Sequence, residues 1–248
     1  MFNNYKDEFL LGRKPITEAL QRDQKLEKVW IDRTIRGEFE KEIRHLCRQK
    51  DIPLITAPVG KLNELVKSSS HQGLVAQLSF VKYHKLESII PFLYEQGNTP
   101  RILLLDGIED VGNLGALARS ALWFNFDAIV VPMKSSARMN GYAMKASMGA
   151  LLEMMVCREK SILGAVEYLQ ASGVQVFAAA MDGNPIKDQN FTGPIALVLG
   201  SEESGIHQAV EKLCDERISI SGQKDKMESL NVSVAGAILM HEVFKAVN

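Results

Sequence analysis

The stretch "RILLLDGIEDVGNLGALARSA", residues 101–121, decides the fold that we expect for this chain of 248 residues. Its apolar start predicts a buried strand, its glycines a tight turn, and its last part a helix. This order is typical of a phosphate-binding loop, but here two glycines stand three residues apart and no lysine follows them. The stretch therefore matches neither the dinucleotide pattern G-x-G-x-x-G nor the P-loop pattern G-x-x-x-x-G-K-[ST].

The pattern around this stretch repeats in both directions along the chain. The apolar runs "AIVVP", "QVFAAAM" and "IALVLG" follow it, separated by helical patterns, as expected for parallel strands buried on both faces. The first eighty residues also alternate strand and helix patterns. We therefore predict an α/β protein with a small α/β domain at residues 1–82, a linker and joining helix at 83–100, and a doubly wound α/β domain at 101–248.

Composition and charge exclude several classes of protein. With 46% hydrophobic and 24% charged residues the chain has a globular composition, and it contains no apolar run long enough for a membrane span and no signal peptide pattern. Three widely spaced cysteines favour a cytoplasmic protein without disulfides, and five scattered histidines predict no metal site. Residues 1–98 carry a net charge of +3 and residues 99–248 a net charge of −4. This split is compatible with RNA contact through the first part, or with ordinary charge scatter.

Two polar residues in the opening stretch are candidates for chemistry. Asn113 can cap the helix that follows, and Arg119 lies one and a half turns into that helix. Gly115 and Ala116 are small enough to leave the guanidinium group of Arg119 accessible. The alternative is a capping asparagine and a surface arginine without a further role.

Two later stretches add further candidates. In "ALVLGSEESGI", residues 196–206, an apolar strand ends at Gly200 and Glu202 follows, at the sheet edge where α/β proteins bind ligands. In "MESLNVSVAGAILMHE", residues 227–242, Ser229 and Asn231 offer hydrogen bonds at a helix start and flank the apolar Leu230. A turn with a solvated acidic pair and an ordinary capped core helix are the alternatives.

A loop without acidic residues separates the first two stretches. Residues 128–152 contain no aspartate or glutamate, whereas Lys134, Arg138 and Lys145 are present among hydroxyl side chains. Such a loop suits a phosphodiester backbone, although a solvated surface loop explains it nearly as well.

In their order and spacing the three stretches resemble the SpoU (TrmH-like) family of RNA ribose 2′-O-methyltransferases, of the SPOUT class. The segments "LLGRKPITEAL" and "HQGLVAQ" are similar to the substrate-binding domain of the ribosomal branch, whose type member methylates a guanosine in 23S rRNA. The resemblance implies S-adenosylmethionine as cofactor and a deep trefoil knot in the C-terminal domain. It also implies a homodimer, and an RNA-binding N-terminal domain similar to kink-turn-binding ribosomal proteins.

The resemblance also assigns roles to individual residues. The family's catalytic positions correspond here to Asn113, Arg119, Glu202, Ser229 and Asn231. Its cofactor-binding positions correspond to Ala180, Leu199, Gly200, Ile220, Leu230 and Asn231, several of which would act through backbone groups. No metal is implied.

The segment "ISISGQKDKM", residues 218–227, which leads into the third stretch, departs from the family pattern in two respects. Ser219 stands where the family has a proline, and the loop at residues 223–227 is longer. We therefore keep two alternatives to a 23S rRNA guanosine methyltransferase. One is a tRNA ribose methyltransferase, and the other is a catalytically silent RNA-binding homologue that assists ribosome assembly.

Overall fold

The computed structural model describes residues 9–22, 24–223 and 229–247, which form two compact units. The first unit comprises the described residues up to Val81 together with Met139–Gly141, and the second comprises Lys82–Arg138 and the described residues from Tyr142 onward. Within the described residues no helix combines the length and apolar character needed to cross a membrane.

The first unit is a four-stranded sheet with helices on both faces. Its elements in chain order are β1 (Phe9–Leu11), α1 (Arg13–Gln21), β2 (Leu26–Asp32), α2 (Glu38–Gln49), β3 (Leu54–Ala57), α3 (Val59–Val66) and β4 (Leu74–Leu78). The strand order is β1-β4-β2-β3, with β4 antiparallel to both neighbours and β2 parallel to β3. Because side chains alternate along a strand, Val29 and Ile31 pack with α1 and α2 on one face, whereas Trp30 packs with Leu62 of α3 on the other.

The second unit contains a seven-stranded parallel sheet. Its strands are β5 (Tyr83–His84), β6 (Arg101–Asp106), β7 (Ala128–Pro132), β8 (Met155–Glu159), β9 (Gln175–Pro185), β10 (Ile195–Gly200) and β11 (Glu216–Ser219). Its helices are α4 (Leu86–Glu95), α5 (Val111–Trp123), α6 (Gly141–Ala146), α7 (Ala150–Glu153), α8 (Ile162–Ala171), α9 (Gln208–Leu213) and α10 (Val232–Val247). The strand order is β11-β9-β10-β6-β7-β8-β5, and every pairing is parallel. The predicted α/β class with a parallel sheet is confirmed.

The central strands of this sheet are buried on both faces. Every residue of β7 and β10, and the first five residues of β6, are buried, which explains their continuous apolar sequences. One face is covered by α4, α8 and α9, whose apolar side chains join those of the strands in one core. On the other side α10 packs closely against α5 and β10, because Gly236 has no side chain that would collide with Leu117 and Leu199.

The segment at residues 83–100, predicted as a linker and joining helix, contains helix α4 and also a short strand that its sequence did not suggest. Residues 83–84 form edge strand β5, and Leu86, Ile89, Ile90 and Leu93 of α4 are buried in the core of the second unit. The proline at position 91 lies inside this helix.

The start of α5 corrects one sequence interpretation. Asp110, not Asn113, is the N-cap residue, and its Oδ1 atom accepts the backbone N–H of Asn113 at 2.7 Å. The helix therefore begins three residues earlier than a cap at Asn113 would allow, and the Asn113 side chain is available for other contacts.

Candidate active site

The three stretches selected from the sequence meet at the carboxyl ends of β6 and β10. These strands are adjacent and in register, so that Asp106 at the end of β6 pairs with Gly200 at the end of β10. The Oδ2 atom of Asp106 also accepts the backbone N–H of His207 at 2.7 Å. This bond ties the chain after β10 to the end of β6 and holds the two loops together.

A carboxylate and two amides form a hydrogen-bonded cluster at this edge. The Oε1 atom of Glu202 accepts Nδ2–H of Asn113 at 3.1 Å and also accepts Nδ2–H of Asn231. The backbone N–H of Val232 points to the same oxygen at 3.4 Å, and Asn231 Nδ2 donates to Asn113 Oδ1 at 3.1 Å. Since an ionised carboxylate only accepts hydrogen bonds, it fixes both amide groups with their NH₂ groups directed inward.

Local backbone geometry holds Glu202 in this position. Ser201 and Gly205 exchange two backbone hydrogen bonds, at 3.1 and 2.9 Å, and so close a tight turn around Glu202. Ser201 Oγ also accepts the backbone N–H of Ser204 at 3.1 Å. Gly200 precedes the turn, and any side chain there would collide with the backbone of Gly205 and Ile206.

Arg119 does not join the cluster. Its side chain is exposed, and within the part of the chain that the structure describes it has no hydrogen bond or ion pair with a protein group. Gly115, one turn earlier, is in close contact with the end of α6, where an added Cβ atom would lie 2.8 Å from the backbone nitrogen of Ser147. The glycine therefore serves helix packing, rather than access to the arginine as its sequence position suggested.

A cavity of about 540 Å³ opens beside the cluster. It is lined by the middle of β9, the end of β10 with the turn that follows, the end of β11 with the segment that follows, and the first turns of α10. Of the predicted cofactor residues, those that line it are Ala180, Leu199, Gly200, Ile220 and Leu230. Ser229 and Glu202 also line it, whereas Asn231 is placed in the hydrogen-bonded cluster. A volume of this size is typical of a small-molecule site.

Ser219, which replaces the family's proline, has a visible structural role. It is buried at the end of β11, and its Oγ atom donates a hydrogen bond to the backbone carbonyl of Gly183 at 2.7 Å. An added Cβ atom at Gly183 would lie 2.6 Å from the backbone of Arg217, so β9 and β11 approach closely here. Of the longer loop, Gln223 lines the cavity, and residues 224–227 lie outside the described part of the chain.

Metal and thiol chemistry receive no support from the described residues. No group of three or more histidine, cysteine, aspartate or glutamate side chains is arranged there to hold a metal ion. Burial raises the pKa of the thiols of Cys47, Cys157 and Cys214 to about 12, so at neutral pH they are protonated and poorly nucleophilic.

Sequence reasoning missed several residues that shape the site. Asp110 and Asp106 position the two loops through backbone hydrogen bonds, and Met181 lines the cavity while half-exposed. Asp110 could have been found from its sequence, because an aspartate directly before a helical pattern is a typical N-cap. Met181 ends the apolar run "QVFAAAM" that predicted β9, but nothing in the sequence showed that it lines a cavity.

The fold and the cavity define the second unit as an α/β domain that binds its ligand at the carboxyl ends of parallel strands. Residues 100–241 match the SpoU rRNA Methylase family, and residues 9–84 match the family described as RNA 2′-O ribose methyltransferase substrate binding. The chain therefore belongs to the SpoU family of RNA methyltransferases.

Individual relatives cover almost the whole chain. It is 32% identical over 245 residues to the putative TrmH family tRNA/rRNA methyltransferase YacO of Bacillus subtilis, with 97% of this chain and 96% of the relative covered. It is 30% identical over 243 residues to the 23S rRNA (guanosine-2′-O-)-methyltransferase RlmB of Yersinia pestis, with 96% and 97% covered. The solved structure of the SpoU methyltransferase AviRb from Streptomyces viridochromogenes, in complex with AdoMet, has the same fold. Its TM-score is 0.58 at 23% identity, with 96% of this chain and 89% of that chain covered.

Proposed function

We propose that this protein transfers a methyl group from S-adenosylmethionine to the ribose 2′-hydroxyl of a guanosine in 23S rRNA. The observation that carries the proposal is the Asn113–Glu202–Asn231 cluster at the rim of the cavity, with the unpaired cation Arg119 on the helix that bears Asn113. The 23S rRNA guanosine methyltransferase of Yersinia pestis, similar over nearly the whole length, supports this choice of substrate.

The cavity fits S-adenosylmethionine in size and in lining. Its walls consist of small and apolar side chains and of backbone groups around Gly200, Ile220 and Leu230, which suits an adenosine ring and an aliphatic chain. Gly200 allows the backbone of Gly205 and Ile206 to pack closely beside it, which shapes this wall of the cavity. The AdoMet complex of AviRb, which has the same fold, supports this assignment. When bound, the cofactor would supply an electrophilic methyl group next to the cluster.

Arg119 meets the main chemical demand of the reaction. A ribose hydroxyl is a poor nucleophile, and negative charge develops on its oxygen as the proton leaves. An arginine remains protonated and is therefore unsuited to act as the base. Arg119 instead stabilises the developing alkoxide and binds the adjacent phosphate, while solvent or phosphate takes the proton.

Hydrogen bonds within the cluster fix the orientation of the Asn113 side chain before the substrate binds. One Nδ2 hydrogen of Asn113 is donated to Glu202, and the second can reach the ribose. Asn231 joins the first turn of α10 to this arrangement, because its Oδ1 atom accepts the backbone N–H of Ser233 at 2.9 Å. Ser229 lines the cavity between the cluster and the cofactor walls and completes the site.

The first unit would bind the RNA. Residues 9–84 match a substrate-binding family, and residues 1–98 carry a net positive charge. We assign RNA binding to residues 1–82, joined by residues 83–100 to the methyltransferase domain at 101–248. Its sheet with helices on both faces is compatible with the predicted similarity to kink-turn-binding ribosomal proteins.

Three further expectations belong to the proposal. A deep trefoil knot is expected from membership of the SpoU family. A homodimer is supported by exposed apolar residues on α5 and α7, including Trp123 at 81% and Leu152 at 59% exposure. A cytoplasmic location is supported by three cysteines that form no disulfide.

The test is to incubate the protein with S-adenosylmethionine labelled in its methyl group and with separate transcripts of 23S rRNA and tRNA. The labelled RNA is then mapped for 2′-O-methyl groups. We expect label at a guanosine of the 23S transcript, and none in a reaction with the Arg119→Ala variant.

The other outcomes distinguish the alternatives. Label only in tRNA would identify a tRNA ribose methyltransferase, an alternative with which the tRNA/rRNA name of the Bacillus subtilis relative is compatible. Cofactor binding without label in any RNA would contradict the enzyme and would favour a silent RNA-binding homologue.

A further inference from the structure

We propose that Lys134, Arg138 and Lys145 of the second unit form a phosphate-binding surface for the RNA strand that carries the target ribose. The proposal rests on the proposed function, because it extends the reaction site along the substrate. We call these three residues the cationic surface. The substrate-binding family match covers residues 9–84 and does not include these three residues.

Charge is the first argument. All three side chains are exposed, and within the described part of the chain none has a hydrogen bond or an ion pair. Residues 128–152 contain no carboxylate, so these cations have no acidic neighbour on their own segment. The adjoining loop carries two exposed carboxylates, Glu109 and Asp110, and Asp110 is already directed at the N-terminus of α5. Cations without local counterions are the groups with which proteins bind phosphates.

Geometry is the second argument. The segment that bears the cationic surface is fastened to the site at two points. The backbone N–H of Ala137 donates to the carbonyl oxygen of Ile108 at 2.7 Å, and the end of α6 packs against Gly115. Ile108 and Gly115 lie on either side of Asn113, so the segment runs beside the first turn of α5.

This arrangement places Lys145, at the end of α6, near the face of α5 that carries Arg119. Gly115 and Arg119 are four residues apart and share one face of α5. Ala146, which contacts Gly115, directly follows Lys145. A strand whose ribose lies at Asn113 and whose adjacent phosphate lies at Arg119 would therefore present its next phosphates to the cationic surface. Tyr142, 63% exposed between these cations, offers a ring on which an unpaired base can stack.

The experiment measures the salt dependence of binding to a 23S rRNA transcript. The test variant is the double substitution Lys134→Gln, Lys145→Gln. The control is Lys212→Gln, Lys245→Gln, which removes the same charge from exposed positions of the second unit. Lys245 lies near the far end of α10, about 20 Å along the helix from the cluster at its start.

We expect the test variant to lower the slope of log K against log salt by about 1.4, since each phosphate contact on a single strand contributes about 0.7. The same relation gives an affinity that is about 25-fold weaker at 0.1 M salt. Affinity for S-adenosylmethionine and the melting temperature should be unchanged. In turnover assays KM for RNA should rise while kcat at saturating RNA is retained. The reason is that the lost phosphate contacts stabilise the RNA equally in the bound ground state and in the transition state.

A charge-preserving variant tests whether the loss of positive charge, rather than the loss of the lysine side chains, changes the slope. Lys134→Arg with Lys145→Arg should keep the wild-type slope, and Arg138→Gln alone should lower it by about half as much as the double variant. An unchanged slope in the test variant, or an equal change in the control, would overturn the cationic surface.

The two proposals can fail separately. If the wild type places no methyl group in any RNA and the slope changes as expected, the proposed function fails and the cationic surface stands. If the wild type methylates 23S rRNA and the slope does not change, only the cationic surface is overturned.

Discussion

Glu202 is the residue on which the candidate site depends most. One of its oxygens receives N–H groups from Asn113, Asn231 and Val232, which come from two helices far apart in the sequence. The Glu202 carboxylate accepts three N–H groups that would otherwise bind water. In doing so it fixes the orientations of the side-chain amides of Asn113 and Asn231. Hydrogen bonds to a charged acceptor of this kind are roughly twice as strong as neutral ones.

The first residue-scale prediction concerns this acceptor. Glu202→Gln keeps the size of the side chain but introduces an NH₂ group among donors, so at least one hydrogen bond is lost or weakened. We expect kcat to fall by roughly 10²-fold, and the free energy of unfolding to fall by about 1–3 kcal/mol. Methyl transfer and urea unfolding measure the two effects. Glu203→Gln, at the next position of the same turn and exposed, is the control and should resemble the wild type.

The second residue-scale prediction tests whether Arg119 acts in methyl transfer without contributing to cofactor binding. Arg119→Ala should lower kcat by at least about 10²–10³-fold, because the developing oxygen charge loses its cation. Cofactor affinity, measured by calorimetry, should remain near the wild-type value, since Arg119 is not among the residues that line the cavity. Arg119→Lys should restore part of the rate, because it keeps the charge without the planar fork. A large loss of cofactor affinity in the alanine variant would show that the assigned role is wrong.

At the scale of elements, helix α5 is fixed by close contacts rather than by its own sequence preference. Asp110 caps its start, Gly115 admits the end of α6, and Gly236 of α10 lies against Leu117. These contacts set the position of Asn113 relative to Glu202. A small displacement of the helix would therefore break the cluster before it unfolded the protein.

This leads to a prediction about Gly115. Gly115→Ala adds a methyl group that would meet the backbone of Ala146 and Ser147, which cannot move aside as a flexible side chain can. We expect a loss of about 1–3 kcal/mol of stability, together with reduced methyl transfer. Gly164→Ala, in α8, is the matched control. Its nearest neighbour would be Ser161 Oγ at 3.4 Å, so the usual helical gain of about 0.5–1 kcal/mol is expected. Thermal and urea unfolding compare the two variants, and equal stability would contradict the packing argument.

The sequence predicted those strands whose own residues identify them, without knowledge of the elements that pack against them. The buried strands β6, β7 and β10 were recognised because both of their faces are apolar. The strand β8 was missed because it carries Arg158 and Glu159, and β11 is short and polar. The cap at Asp110 was assigned to Asn113, since both residue types favour that position and only the backbone distinguishes them.

At the scale of the whole molecule, the sequence could name site residues through resemblance, but it could not pair them. Asn113 and Asn231 are 118 positions apart, and no spacing rule predicts that their amides bond to each other. The hydrogen bond from Ser219 to Gly183 likewise depends on how β9 and β11 approach. Such contacts arise from topology, which one sequence without relatives specifies only indirectly.

The whole-molecule prediction concerns association. Trp123 and Met148 are large apolar side chains that are 81% and 74% exposed, so a second subunit that covers them would remove apolar surface from water. We expect the wild type to sediment as a dimer, and Trp123→Glu to shift it toward monomer by placing a charge in the interface. Phe92→Glu, on α4 and 48% exposed, is the control and should leave the dimer intact. A monomeric wild type at micromolar concentration would contradict the homodimer.

The distance in sequence between the members of the cluster has a consequence for the order in which the site forms during protein synthesis. Ribosomes release a chain from its N-terminus, and Asn231 leaves the exit tunnel long after Asn113 and Glu202 have emerged. Asn113 and Glu202 can meet early, but the second amide and the backbone N–H of Val232 arrive only with the last helix. A nascent or C-terminally truncated chain would therefore hold an open, incomplete site. The site would be completed only after Asn231 and Val232 have emerged and folded against Glu202.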